Sequence, residues 1–272
     1  MKNILLPTDF SANAKRAIRY ALFVFGEKAK YTLLNTYEVP HAGAPMLISI
    51  SDILAKESLK SLNEELKILE REFPKLVGKI NVKAETGDPE SVVKRLTNVE
   101  SYDLVVMGTK GATGLKEVLI GSVASNLMQN VEIPVLAVPE SATLSVPQKI
   151  LFAVDDVTLN EGLFPSELAN LTRKFDAELL ILNVVPNGKL DTVGNAKGND
   201  RQPTSVFDGV KHSFHFAEGD NVNKAITEFA TAKKVDLLAM VTRKNDFFSR
   251  MFGSSATKKM MQHVNVPIIA FH

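Results

Sequence analysis

The stretch MGTKGATGLKEVLIGSVASNLMQNVEIPVLAVP, residues 107–139, is where the architecture first shows itself. The apolar run Leu104–Met107 that leads into it reads as a buried strand. A loop with Gly108, Gly111 and Gly114 follows, and Gly121 and Ser122 then open a helical segment that stops before Pro134. Strand, glycine loop and helix start together make a cradle for an anion. Glycines let backbone N–H groups approach a phosphate without an intervening Cβ, and the first-turn N–H groups of a helix lack partners and carry partial positive charge. Ser122 adds a hydroxyl donor at the helix start. A glycine pair after a strand serves as plain turn punctuation just as often, so the wider pattern has to carry the reading.

Outward from this stretch, the chain alternates strands with helices. Asn3–Leu6 is a short apolar strand of the kind buried on both faces in parallel sheets. Ser11 is a candidate N-cap before a helical stripe of Ala14, Ala17, Ile18, Ala21, Leu22 and Phe25. A second strand around Tyr31–Tyr37 leads into an irregular segment, Glu38–Ile50. An amphipathic helix over Leu59, Leu62, Leu66, Leu69 and Phe73 follows, ended by Pro74 and too short for a coiled-coil seam. Ile80–Ala84 alternates as a third strand, and Gly87-Asp88-Pro89 turns into a short helix over Val92, Val93 and Leu96. With Leu104–Met107 as the fourth strand and Pro134–Val138 as the fifth, the pattern predicts a doubly wound parallel α/β sheet.

After a linker, Glu140–Gln148, the pattern restarts. Lys149–Asp155 mirrors Lys2–Asp9 at an offset of 146, whereas Val235–Met240 mirrors Tyr102–Met107, and Val266–Ile268 mirrors Ile133–Val135, at an offset of 133. A tandem repeat is expected, with domains at 1–140 and 148–272 and thirteen residues lost from the second copy where the first has its Leu59–Phe73 helix. Pro186–Gly209, rich in Asn, Gly and Asp, stands in that place as a loop with at most a short helix near Ser205–Phe207.

The spacing Gly108-x2-Gly111-x9-Gly121-Ser122 resembles the nucleotide-binding signature of the universal stress protein family, whose ATP-binding members carry Gly-x2-Gly-x9-Gly followed by Ser or Thr. The resemblance extends to Leu5-Leu6-Pro7-Thr8-Asp9-Phe10-Ser11 at the first strand and turn, and to the closing strand Ile133–Pro139. It implies two flavodoxin-like, or adenine nucleotide alpha hydrolase-like, domains and an adenine nucleotide (ATP, ADP or AMP, with or without Mg2+) in the first. The site it implies comprises Pro7, Thr8 and Asp9, with Asp9 on the ribose, Asn35 on the adenine side, and Met107 and Gly108 near the adenosine. Gly111 and Gly121 belong to the phosphate loop, and Ser122 and Val123 to the helix start. Ala124 departs from the family, which commonly has Ser or Thr there, so a phosphate- or metal-linked hydroxyl is expected to be missing. The resemblance also implies pairing of fifth strands, giving a pseudo-dimer within the chain and a homodimer beyond it.

In the second copy Val241, Lys244 and Ser254 stand where Gly108, Gly111 and Gly121 stand in the first, and Phe247, Phe248, Met251 and Phe252 add bulk. Asp155 and Ser255 are what persists. A Cβ at each former glycine position opposes close backbone approach, so this copy is expected to be degenerate and not to bind nucleotide in the same way. Its phenylalanines can cover an apolar face or meet a partner.

Composition narrows the function further. A length of 272 residues fits about two domains. A net charge of +1, from 32 basic and 31 acidic residues, offers no field for nucleic acid or an anionic membrane. With no cysteine, disulfides, thiol catalysis and Cys-ligated zinc are excluded. The apolar run before Pro7 is too short for a signal peptide, and no stretch reaches the roughly 18 apolar residues of a spanning helix, so a cytoplasmic protein is expected. Neither a Walker loop, a nucleophile elbow nor a kinase signature set is present. His212 and His215, three apart on a strand, point to opposite faces and cannot share a metal, and His41 reads as a loop residue. Without a placed acid–base pair the chain is expected to be at most a weak ATPase. A nucleotide-responsive stress protein acting on an unidentified protein partner is the leading reading, and a nucleotide-free, chaperone-like interaction protein is the alternative.

Overall fold

Strands covered on both faces are apolar along their whole length, and the short runs Ile4–Leu6 and Leu104–Val106 are fully buried at the centre of the first unit. The computed structural model describes residues 1–39, 44–111, 120–154, 164–185, 187–188, 207–242 and 266–272. They fall into two compact units, one ending at Ser145 and the other beginning at Val146.

The first unit runs β1 (Asn3–Pro7), α1 (Ala12–Phe25), β2 (Lys30–Tyr37), α2 (Ala44–Glu72), β3 (Ile80–Thr86), α3 (Pro89–Val99), β4 (Leu104–Gly108), α4 (Ser122–Asn130) and β5 (Val135–Val138). Its strands lie in the order β3-β2-β1-β4-β5, with every recorded pairing parallel. Leu5 sits between Thr32 and Val105. The strand order reverses at β1 and β4, which puts a crevice beyond their C-terminal ends, where open α/β sheets take ligands.

Helix α1 starts as its sequence predicts. Ser11 Oγ accepts the Ala14 N–H at 3.2 Å, and the whole expected stripe from Ala14 to Phe25 is buried. Gly26, at φ +58°, ends it in a conformation that favours glycine. Helix α2 differs from expectation, because it already begins at Ala44 and so replaces most of the irregular segment Glu38–Ile50. Pro45 in its first turn suits a helix start, where the missing N–H costs nothing. Its buried stripe is also partly polar: Leu62 and Leu69 are buried together with Ser58 and Glu65, while Leu59 is exposed. Glu65 is held by Arg19 at 3.0 Å and Lys15 at 3.4 Å, both from α1.

The second unit runs β6 (Lys149–Val154), α5 (Phe164–Phe175), β7 (Glu178–Val185), β8 (His212–Glu218), α6 (Val222–Lys233), β9 (Leu237–Val241) and β10 (Ile268–Phe271), in the order β10-β9-β6-β7-β8, again parallel. The shortening lies between its second and third strands, where 26 residues separate Val185 from His212 against 42 between Tyr37 and Ile80. One extra residue in β6 itself, one between the first and second strands and one between the third and fourth reduce this difference to the net thirteen.

The repeat preserves its joints as well as its strands. Asp103 Oδ2 accepts the N–H groups of Lys2 (2.6 Å) and Asn3 (2.8 Å), and Asp236 Oδ2 accepts those of Gln148 (3.0 Å) and Lys149 (2.9 Å). Asp88 caps α3 through the Ser91 N–H, and Asn221 caps α6 through the Lys224 N–H. His212 packs against Phe207 and Phe214, and His215 against Phe229, so the two imidazoles do lie on opposite faces. Among the described residues no helix is long and apolar enough to cross a membrane.

Candidate functional site

The crevice between β1 and β4 is built from two turns. After Pro7 the chain folds tightly: the Thr8 N–H donates to the Leu34 carbonyl at 2.8 Å, the Phe10 N–H to Thr8 Oγ1 at 3.0 Å, and the Ser11 N–H to Asp9 Oδ1 at 3.0 Å. Phe10 adopts φ +62°, uncommon for a bulky residue, and the Thr8 and Asp9 side chains, which accept its own N–H and that of Ser11, hold it there. Asp9 therefore acts as a turn cap through Oδ1, while Oδ2 lies on the side of the β4 loop.

Asn35, near the end of β2, uses both ends of its amide: Nδ2 donates to the Thr8 carbonyl at 2.8 Å, and Oδ1 accepts from Ser58 Oγ at 2.7 Å. It ties α2 to the β1 turn. On the other wall, Met107 and Gly108 are buried at the end of β4 and Gly111 is exposed. A Cβ on Gly111 would stand 3.0 Å from Asp9 Oδ2. The two turns, 102 positions apart in sequence, thus meet across the crevice.

Gly121 returns the chain to the same place. Its N–H donates to the Thr109 carbonyl at 2.6 Å, and α4 starts directly after it with Gly121 as an N-cap that has no side chain to offer. Ser122 is exposed and Val123 half-buried at this start. Ala124 faces inward with Leu127 and Met128 and is buried.

The three signature glycines have different causes. At Gly108 a Cβ would come within 2.8 Å of Asn13 Oδ1 and 3.1 Å of the Asn13 backbone carbon, so close packing of α1 on β4 demands glycine. At Gly111 the neighbour is the tip of the Asp9 side chain. At Gly121 the nearest atoms among the described residues are the Thr109 oxygen at 3.4 Å and Lys110 Cα at 3.9 Å, which is ordinary contact, and φ is −65°. Sequence reasoning passed over Asn13, whose signal was a polar residue at the start of an apolar helix.

In the second unit Val241, buried at the end of β9, occupies the place of Gly108, and Thr242 repeats Thr109: each threonine N–H donates to the last carbonyl of the neighbouring strand, Phe271 at 2.8 Å and Val138 at 3.1 Å. Lys244, Ser254, Ser255, Asp155, Phe247, Phe248, Met251 and Phe252 lie outside the described residues, as do Gly114, His41 and most of Pro186–Gly209.

The model of the Universal stress protein family matches the chain twice, over residues 1–139 and 147–272. A universal stress protein of Methanocaldococcus jannaschii is 32% identical over 142 residues, covering 50% of this chain and 81% of that protein. A second from the same organism is 28% identical over 152 residues, covering 50% and 94%. Among solved structures, a universal stress protein of Archaeoglobus fulgidus aligns over 99% of this chain and 95% of its own with a TM-score of 0.67 at 20% identity, a likeness of fold. Both halves carry the same strand order and the same family match, and the chain belongs to the universal stress protein family as a tandem of two of its domains.

Proposed function

We propose that the first unit binds an adenine nucleotide in the crevice between β1 and β4, and that the second unit does not bind one in the same manner. The observation that carries this reading is Gly121. Among the described residues nothing comes closer than 3.4 Å to a Cβ placed there, yet the residue is glycine, and as the N-cap of α4 it offers the first-turn N–H groups no side chain. A phosphate seated on those N–H groups accounts for both features. Asp9 stands across the crevice as an acceptor suited to ribose hydroxyls, with Thr8 and Asn35 setting the β1 turn and Met107, Gly108 and Gly111 the other wall. Ser122 and Val123 supply the helix-start donors. Mg2+ would then be held mainly through phosphate oxygens, since among the described residues no group of three His, Asp or Glu side chains gathers to hold an ion. In the second unit Val241, Lys244 and Ser254 replace all three of the signature glycines.

Nucleotide binding in a stress-response protein changes the surface offered to a protein partner only if the nucleotide favours one conformation over another. Titration calorimetry of the full chain with ATP, ADP and AMP tests the site. Gly121→Val should lose at least about tenfold in affinity, about 1.4 kcal/mol, beside a stability loss of no more than about 1 kcal/mol from the poorer N-cap. Full affinity in that variant would remove the site assignment.

A further inference from the structure

Asn13, the second residue of α1, is buried at 3% exposure although it lies at the mouth of the crevice. Its amide is engaged in three directions. Nδ2 donates to the Val138 carbonyl at 2.9 Å, while Oδ1 accepts the Lys110 N–H at 2.7 Å and the Thr109 hydroxyl at 3.3 Å. One side chain therefore links the start of α1, the first two residues of the β4 loop and the end of β5.

We propose that Asn13 is the positioning residue of the phosphate loop, a role that rests on the nucleotide reading of this crevice. A carboxamide suits the position because it offers an acceptor and a donor a fixed distance apart. Aspartate would set an oxygen against the Val138 carbonyl, and serine would be too short to span both partners. By taking the Lys110 N–H, Asn13 turns that peptide inward and fixes the direction in which the chain leaves β4. The loop then passes Asp9 at Gly111 and is met again at Gly121, whose N–H closes on the Thr109 carbonyl at 2.6 Å. Thr109 and Lys110 are thus held from α1 on one side and from the start of α4 on the other. The close approach of Asn13 to Gly108 belongs to the same arrangement, since any side chain at 108 would push the amide away from the loop.

Positioning differs from simple stabilisation in what it affects. A loop released from Asn13 loses its hold on phosphates, but the nucleoside side of the site, on Asp9 and the β1 turn, remains. The test measures affinities of the full-length wild type, Asn13→Ala and Asn13→Ser for ATP and for adenosine, with amide hydrogen exchange at Lys110 in the ligand-free proteins. Asn13→Ser serves should the alanine variant fail to fold. The expected result is faster exchange at Lys110 and a loss of about tenfold or more in ATP affinity, with adenosine affinity within about twofold of wild type. Equal losses for both ligands, or an unchanged ATP affinity in a variant, would overturn the positioning role and leave the nucleotide reading intact. A wild-type chain that binds neither ligand would overturn both.

Discussion

Asp9 and Gly111 meet across the crevice of the first unit, with Asp9 Oδ2 3.0 Å from the point a Cβ on Gly111 would occupy. The contact falls on the far end of a side chain whose other oxygen accepts the Ser11 N–H. In Gly111→Ala the carboxylate can turn aside at little cost to the fold but leaves its orientation toward the crevice. We expect a stability change under about 1 kcal/mol and a nucleotide affinity reduced about fivefold to tenfold, read by thermal melting and calorimetry. Unaltered affinity would detach Asp9 from the site.

Gly108 is expected to behave differently, because its neighbour is Asn13, fixed by three hydrogen bonds. Gly108→Ala should destabilise the first unit by about 1–3 kcal/mol through overpacking, whether or not nucleotide is present. Urea unfolding checks this, and a change below about 0.5 kcal/mol would show that α1 can yield.

Much of this architecture was legible beforehand. Short apolar runs such as Ile4–Leu6 and Leu104–Val106 announce a parallel sheet because both faces of such strands are covered, and the repeat was visible as two constant offsets. What escaped has physical reasons. The first turns of α2 contain Pro45 and a run with no helical period, and a helix held by its later turns extends through such residues regardless of pattern. Asn13 escaped because its partners, Lys110 and Val138, are distant in sequence. The burial of Ala124 was legible, since Ala124, Leu127 and Met128 follow helical spacing.

The second unit carries a pH-dependent element. His272 Nδ1 lies 3.0 Å from Thr242 Oγ1, and burial pushes the imidazole pKa down to about 4. The folded value is below the unfolded one of about 6.5, so the unfolded chain takes up the proton more readily as pH falls. Stability from neutral His272 is complete above about pH 6.5 and lost progressively toward pH 4, on the order of 1–2 kcal/mol between pH 7 and 5. Urea unfolding of the wild type against His272→Phe should show this slope only in the wild type. Equal slopes would assign the pH dependence to other groups.

One adenine nucleotide site per chain, in the first unit, is what the proposed function requires. Freshly purified protein should be denatured and any released nucleotide identified and counted by chromatography and mass spectrometry, then the emptied chain refolded and titrated with ATP and Mg2+. About one adenine nucleotide per chain is expected, retained or rebound, and none in Gly121→Val. Two per chain would contradict the reading of the second unit. None, with no rebinding of ATP, would contradict the nucleotide site itself and leave an interaction protein that acts without one.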